Sequence, residues 1–146
     1  MAKFDCSVTI KRPVEDVFAV LRDLSNGSKW ASVSSEPAAM TSDGPIGVGS
    51  TWHGVGKVAG RKIETDFRYT EFEVDRRIAY TITKPFPMTA TVVLEQVADG
   101  THVSQTIVGE PGGFFKLAEP LVVRMSQRQF QNDFDNLRDL MEAHAL

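Results

Sequence analysis

Polar side chains that fall on otherwise apolar faces are the residues of this sequence best placed to do chemistry. Thr65 and Tyr69 alternate with Ile63 and Phe67, Tyr80 with Ile78 and Ile82, and Gln105 with Val103 and Ile107, while Ser126 and Gln127 interrupt the apolar stripe of a terminal helix. Burying such groups costs free energy unless each finds a partner. Two arrangements meet that demand. Either the groups are satisfied within the core or by a trapped water, or Tyr69, Tyr80, Gln105 and Gln127 project into a cavity and orient the polar end of a mostly apolar ligand. Glu71 joins them if its strand keeps register; an exposed carboxylate is the alternative.

Other catalytic patterns are scarce. His53, His102 and His144 are the only histidines, and none stands at metal-ligand spacing from another His, a Cys or an acidic cluster, so neither a metal nor a cofactor is expected. His53 alternates with Trp52, so an inward Trp52 turns His53 to the surface. The run from Gly54 to Ala59 loosely matches a dinucleotide fingerprint, but that motif needs a helix straight after its glycine turn, and here Gly60 and another strand pattern follow. A Ser-His-acid set cannot be assembled either, because Asp133 and Asp135 fall on the solvated side of the helix by phase. Cys6 is the single cysteine; on the apolar face of a strand it reads as a small hydrophobe, and it excludes an internal disulfide.

These residues need elements to position them. Residues 114–143 form the only segment long and periodic enough for a major helix, with Val123, Phe130, Phe134, Leu137 and Met141 on one stripe. Leu117, Leu121, Val122 and Met125 widen its apolar surface at the start. The chain opens on a strand in which Phe4, Cys6, Val8 and Ile10 alternate with polar residues. Pro13 then takes the first position of a helix running to about Asp23, with Val14, Val17, Phe18, Leu21 and Leu24 facing a core and Ser25-Asn26-Gly27-Ser28 ending it. Trp30 follows, either as a plug over one end of the core or as a wall of a ligand site.

Turn signals divide the middle of the chain into strands at about 32–41, 50–58, 61–73, 78–83, 88–97 and 101–108. Short connections favour an antiparallel meander, seven strands in all with the first. On the strand carrying Trp52, the inward Gly54 and Gly56 either permit strong curvature, the reading favoured here, or leave room for another group. A sheet with one apolar face curls around the terminal helix, and a cavity opens in the concavity between them. The ligand-facing set expected there has an aromatic part, Trp30, Trp52, Phe67 and Phe130, and an aliphatic part, Val92 and Val123. Its polar part is Tyr69, Tyr80, Gln105 and Gln127.

Composition bounds the remaining possibilities. At 146 residues and 42% apolar content the chain fits one domain, 1–146, with one core. Sixteen basic against nineteen acidic residues leave a formal charge of -3 without any basic run beyond pairs, so no nucleic-acid footprint is present. No stretch approaches the ~20 apolar residues of a membrane span. A cytoplasmic monomer or homodimer is the expectation.

The Pro-led helix after the first strand, Asp23-Leu24 with Trp30, Gly49-Ser50-Thr51-Trp52, Thr70-Glu71-Phe72 before Arg76-Arg77-Ile78-Ala79-Tyr80, the turn from Asp99 to Val103, and the long final helix together resemble the START-related SRPBCC superfamily, and within it the polyketide cyclase/dehydrase group. The likeness departs where a proline often precedes the tryptophan and at Ala31-Ser32, which stand in place of a polar-Pro pair. It implies an α+β helix-grip fold: a curved seven-stranded antiparallel sheet around a C-terminal helix, with one or two short helices after the first strand. Three functions fit such a scaffold. One is a binder of a small hydrophobic ligand, lipid or polyketide-like. Another is a cyclase or aromatase-type enzyme, with Tyr69 or Tyr80 as proton donor and Glu71 or Glu110 as base. The third is a protein-interaction module using a rim around Trp30, Phe114 and Phe115, where residues 111–115 are either a lid hinge or a plain turn.

Overall fold

The computed structural model describes residues 2–58, 60–110, 112 and 114–146. Strand β1 (Ala2–Ile10) leads into helix α1 (Val14–Leu21), a 3-10 turn (Leu24–Asn26) and a one-turn helix α2 (Gly27–Trp30). Strands β2 (Ser34–Met40), β3 (Thr51–Val58), β4 (Arg61–Glu73), β5 (Arg77–Ile82), β6 (Met88–Val97) and β7 (Gly100–Gly109) follow, then helices α3 (Phe114–Leu117) and α4 (Glu119–Glu142). The seven strands make one sheet in the order β1-β7-β6-β5-β4-β3-β2, every neighbouring pair antiparallel. The long helix lies against one face of this sheet and along β1.

Local chemistry accounts for the element ends. Pro13 sits one residue earlier than its fixed φ suggested, as the extended N-cap of α1 (φ -59°, ψ 150°), with Glu15 and Asp16 in the first turn where the helix dipole favours acids. Asp23 accepts from the backbone N–H of Ser25 at 3.0 Å and so starts the 3-10 turn. Trp30 therefore ends a helical turn and does not lie in irregular chain. The terminal helix is divided: Ala118 is a turn, and Pro120 occupies the first turn of α4. In an unbroken helix that ring would collide with the carbonyl of Lys116, whereas in a first turn its missing N–H has no cost.

Glutamines of α4 close the open edge of the sheet. Gln127 accepts from the Asp5 N–H at 2.8 Å and donates to the Asp5 carbonyl; Gln131 does the same for Ser7 at 3.2 and 2.8 Å. Four helical residues rise about 6 Å, and two strand residues about 6.8 Å, so side-chain amides one turn apart match successive outward-facing peptides of β1. An edge strand left bare would be a template for another chain. Arg12 ties down the far end of the helix, donating to the carbonyls of Met141 at 2.8 Å and Leu146 at 3.2 Å.

The glycines of β3 make room and do not merely permit curvature. A Cβ on Gly56 would stand 2.4 Å from the Val33 carbonyl oxygen, and one on Gly54 would stand 2.8 Å from the Phe67 ring. The core lies at one end of the sheet, where α1 and the second half of α4 pack: Val17, Ile10, Ile78, Val103, Phe134, Leu137 and Met141 are all buried there. At the other end Ala2, Phe4, Phe86, Ala90 and Ile107 form a smaller cluster against the half-buried Val122, Val123 and Phe130. Of the residues expected to widen the apolar surface at the helix start, Leu117, Leu121 and Met125 instead point to solvent.

Candidate functional site

Between the two clusters the sheet and α4 do not meet, leaving a cavity of about 270 Å³. The alternation of each strand brings one set of side chains to the concave face, and position along the strand then decides whether a residue fills core or borders the cavity. On β1, β7, β5, β4 and β3 the boundary falls between successive inward residues. Cys6 is core and Phe4 wall, Val103 core and Gln105 wall, Ile78 core and Tyr80 wall, Tyr69 core and Phe67 wall, Trp52 core and Gly54 wall. Helix α4 supplies Val122, Ser126, Gln129, Phe130 and Asp133, α2 supplies Trp30, and the β5–β6 connection contributes Lys84 and Phe86.

Of the expected ligand-facing residues, Trp30, Phe67, Tyr80, Gln105 and Phe130 border this cavity, as do the inward polar residues Thr65 and Ser126. The other five lie elsewhere. Trp52 is buried against Tyr69, ring centroids 6.3 Å apart, and the Tyr69 hydroxyl donates to the Arg22 carbonyl at 2.6 Å, so its polar atom is spent on holding the end of α1. Val92 is packed in the core, Val123 packs toward the Phe4–Phe86 cluster, and Gln127 is committed to the edge of β1. Glu71 is on the exposed face and pairs with Arg77 at 3.3 Å. Trp30 is half-buried on Phe134, ring centroids 5.8 Å apart, while the rim assigned to Phe114 and Phe115 and the hinge through Pro111 and Gly113 lie outside the described residues and side chains.

The largest correction concerns Asp133, which is only 6% exposed and borders the cavity. It follows Phe130 by three residues and precedes Leu137 by four, so it shares their face of the helix. Ser32 holds it: the backbone N–H donates to Oδ1 at 3.1 Å and the hydroxyl lies 3.3 Å from Oδ2. Burial raises the Asp133 pKa above its ordinary value, and the two Ser32 hydrogen bonds oppose that rise.

A second polar group lies on the sheet side. Burial pushes the Tyr80 phenol up to about 12, with the Gln105 side chain opposing the rise, so it stays protonated. Gln105 also takes a long contact from the Cys6 thiol at 3.8 Å. Burial, then the charges of Asp5, Asp133 and Asp135, raise Cys6 to about 12, which removes any thiolate for nucleophilic work. His53 faces outward between Asp66 at 2.9 Å and Glu64 at 3.5 Å, and the Asp66 hydrogen bond chiefly raises its pKa.

An open antiparallel sheet of seven strands gripping a long C-terminal helix, with short helices after the first strand and a cavity between, defines the helix-grip class. A family model described as polyketide cyclase/dehydrase and lipid transport matches residues 1–142, and the chain belongs to that SRPBCC-type family. Solved structures share the fold at low identity. The TTHA0849 protein of Thermus thermophilus has a TM-score of 0.81 at 17% identity, covering 99% of this chain and 99% of that one. The CV1439 protein of Chromobacterium violaceum has a TM-score of 0.72 at 19% identity, covering 97% and 99%. The Ms6760 protein of Mycobacterium smegmatis has a TM-score of 0.69 at 15% identity, covering 98% and 92%. No curated protein matches the chain. Among the described residues no helix is long and apolar enough to cross a membrane.

Proposed function

We propose that this protein binds a small, mostly hydrophobic molecule, lipid or polyketide-like, in the cavity between the sheet and α4. The observation that carries this reading is the cavity itself, bounded by Phe4, Ile63, Ile82, Ile107 and Phe130 with few polar groups among them. A void of about 270 Å³ lies at the lower edge of the ~300–1,000 Å³ usual for ligand pockets. A compact ligand fits that space. Titration with the neutral fluorophore N-phenyl-1-naphthylamine tests the proposal. Saturable one-to-one binding is expected, lost when Ile63→Trp fills the void in a variant whose circular dichroism is unchanged. Binding that persists in the filled variant, or no saturable binding to the wild type, contradicts it.

One observation favours a second reading, proton transfer of the cyclase or aromatase type. Asp133 and Tyr80, a carboxyl group and a protonated phenol, face the same apolar space, and burial raises the carboxyl above its ordinary value, which makes it a stronger base than a solvated one. Deuterium exchange into 2-tetralone followed by NMR tests it: faster exchange with wild type than with Asp133→Asn supports catalysis, and equal rates refute it.

A further inference from the structure

We infer that the cavity selects molecules whose polar end donates a hydrogen bond, cationic ends above all, and disfavours those ending in a carboxylate. This rests on the binding reading above and deepens it. Among the described residues bordering the cavity, Asp133 is the one acid and Lys84 the one base, and no ion pair joins them. Arg12 is engaged by Asp16, and Arg138 by Asp135 and Asp139. Among the described residues no basic side chain pairs with the Asp133 carboxylate at the cavity wall.

Its hydrogen bonds define its state and what it lacks. Gln129 Nε2 donates to Ser32 Oγ at 3.1 Å, which leaves the hydroxyl proton of Ser32 to point at Asp133 Oδ2. With the Ser32 N–H on Oδ1, both carboxylate oxygens accept, the arrangement that suits the ionised form. An ionised carboxylate offers about four acceptor positions, and Ser32 occupies two of them. The remainder lack a donor among the described residues. A buried charge without a counter-charge is costly, and a ligand that brings a donor into the cavity relieves that cost, whereas a second anion adds to it.

The surroundings add to the preference for a cation. Trp30 and Phe130 border the same space, and Trp30 packs against Phe134 beside Asp133 in the helix. Aromatic faces attract ammonium groups, most strongly where water is excluded. Lys84 belongs to the β5–β6 connection and is exposed, so its charge is solvated and does not reproduce at that end what Asp133 does at the other.

Displacement of N-phenyl-1-naphthylamine by three probes of equal chain length tests the inference: octylamine, octanol and octanoate at pH 7.5. Octylamine is expected to bind about tenfold or more tighter than octanoate, in line with a hydrogen bond to a charged group, with octanol between them. Asp133→Asn should remove the advantage of octylamine over octanol and narrow the gap between both and octanoate. The wild-type series stands without any variant. Octanoate binding as tightly as octylamine, or an order unchanged by Asp133→Asn, overturns the selectivity while leaving cavity binding intact. Failure of all three probes and the fluorophore overturns the binding reading and this inference with it.

Discussion

The two halves of α4 carry one continuous stripe and meet opposite fates. Beyond Phe134, which is buried in the larger core cluster and also borders the cavity, Leu137 and Met141 are sealed with no exposed surface. From Val122 through Ser126 to Phe130 the inward side chains are half-exposed and face the cavity. The helix itself does not explain this, since apolar residues recur in both halves. What differs is the sheet opposite. The sealed half meets Ile10, Ile78 and Val103 with α1 closing over them, whereas the sheet below the other half offers Gly54, Gly56 and polar-tipped Thr65, Tyr80 and Gln105. The second half is committed to the core, while the first half packs on the smaller cluster and leaves part of its face on the cavity.

The contrast is most readily broken at Leu137, which is fully buried. Leu137→Ala should cost about 2–5 kcal/mol by lost burial plus a new cavity, read as a lower urea midpoint with an unchanged slope. A loss below about 1 kcal/mol would show that this half is not sealed.

Next in size is the joint between the halves. The double variant Gln127→Ala/Gln131→Ala removes the four hydrogen bonds to Asp5 and Ser7, and should cost about 1–3 kcal/mol because those peptides regain water. Hydrogen exchange at the Asp5 and Ser7 amides should accelerate while that at Val103 does not.

Asp133 gives a pH signature that the sealed half lacks. Its pKa is raised in the folded protein, so the native state binds that proton more tightly than the unfolded chain. Stability should therefore fall as pH rises from the ordinary carboxylate range through the raised value, with the full cost present above it. Urea unfolding across pH should show Asp133→Asn gaining on the wild type as pH increases; a difference independent of pH would contradict this. The smallest effect is expected at Leu121, on the outer face of the cavity half: Leu121→Ser should change stability by no more than about 0.5 kcal/mol.

Strand alternation revealed which face each residue takes, and hence the seven strands, their antiparallel order of connection and the inward placement of Phe67, Tyr80 and Gln105. It carries no signal for where along a strand the core ends. Tyr69 and Phe67 share a face two residues apart, yet one is core and the other wall, because α1 covers only the first. Gln127 shows the same gap: its phase is inward, but the nearest inward object is the edge of β1 and not the cavity. The phase argument that sends Asp133 to the solvated side fails, because three residues from Phe130 and four to Leu137 set it on their buried face. Its partner Ser32 lies 101 residues away, beyond the reach of any local pattern.

Isoleucine methyl NMR tests the central claim most directly, because isoleucines lie in both regions. On titration with N-phenyl-1-naphthylamine, the methyl signals of Ile63, Ile82 and Ile107 around the cavity should shift in proportion to saturation, while those of Ile10 and Ile78 in the sealed core stay in place. Saturable binding that moves Ile10 and Ile78 as much as the other three, or leaves all five unmoved, would contradict a ligand space confined between the sheet and the first half of α4.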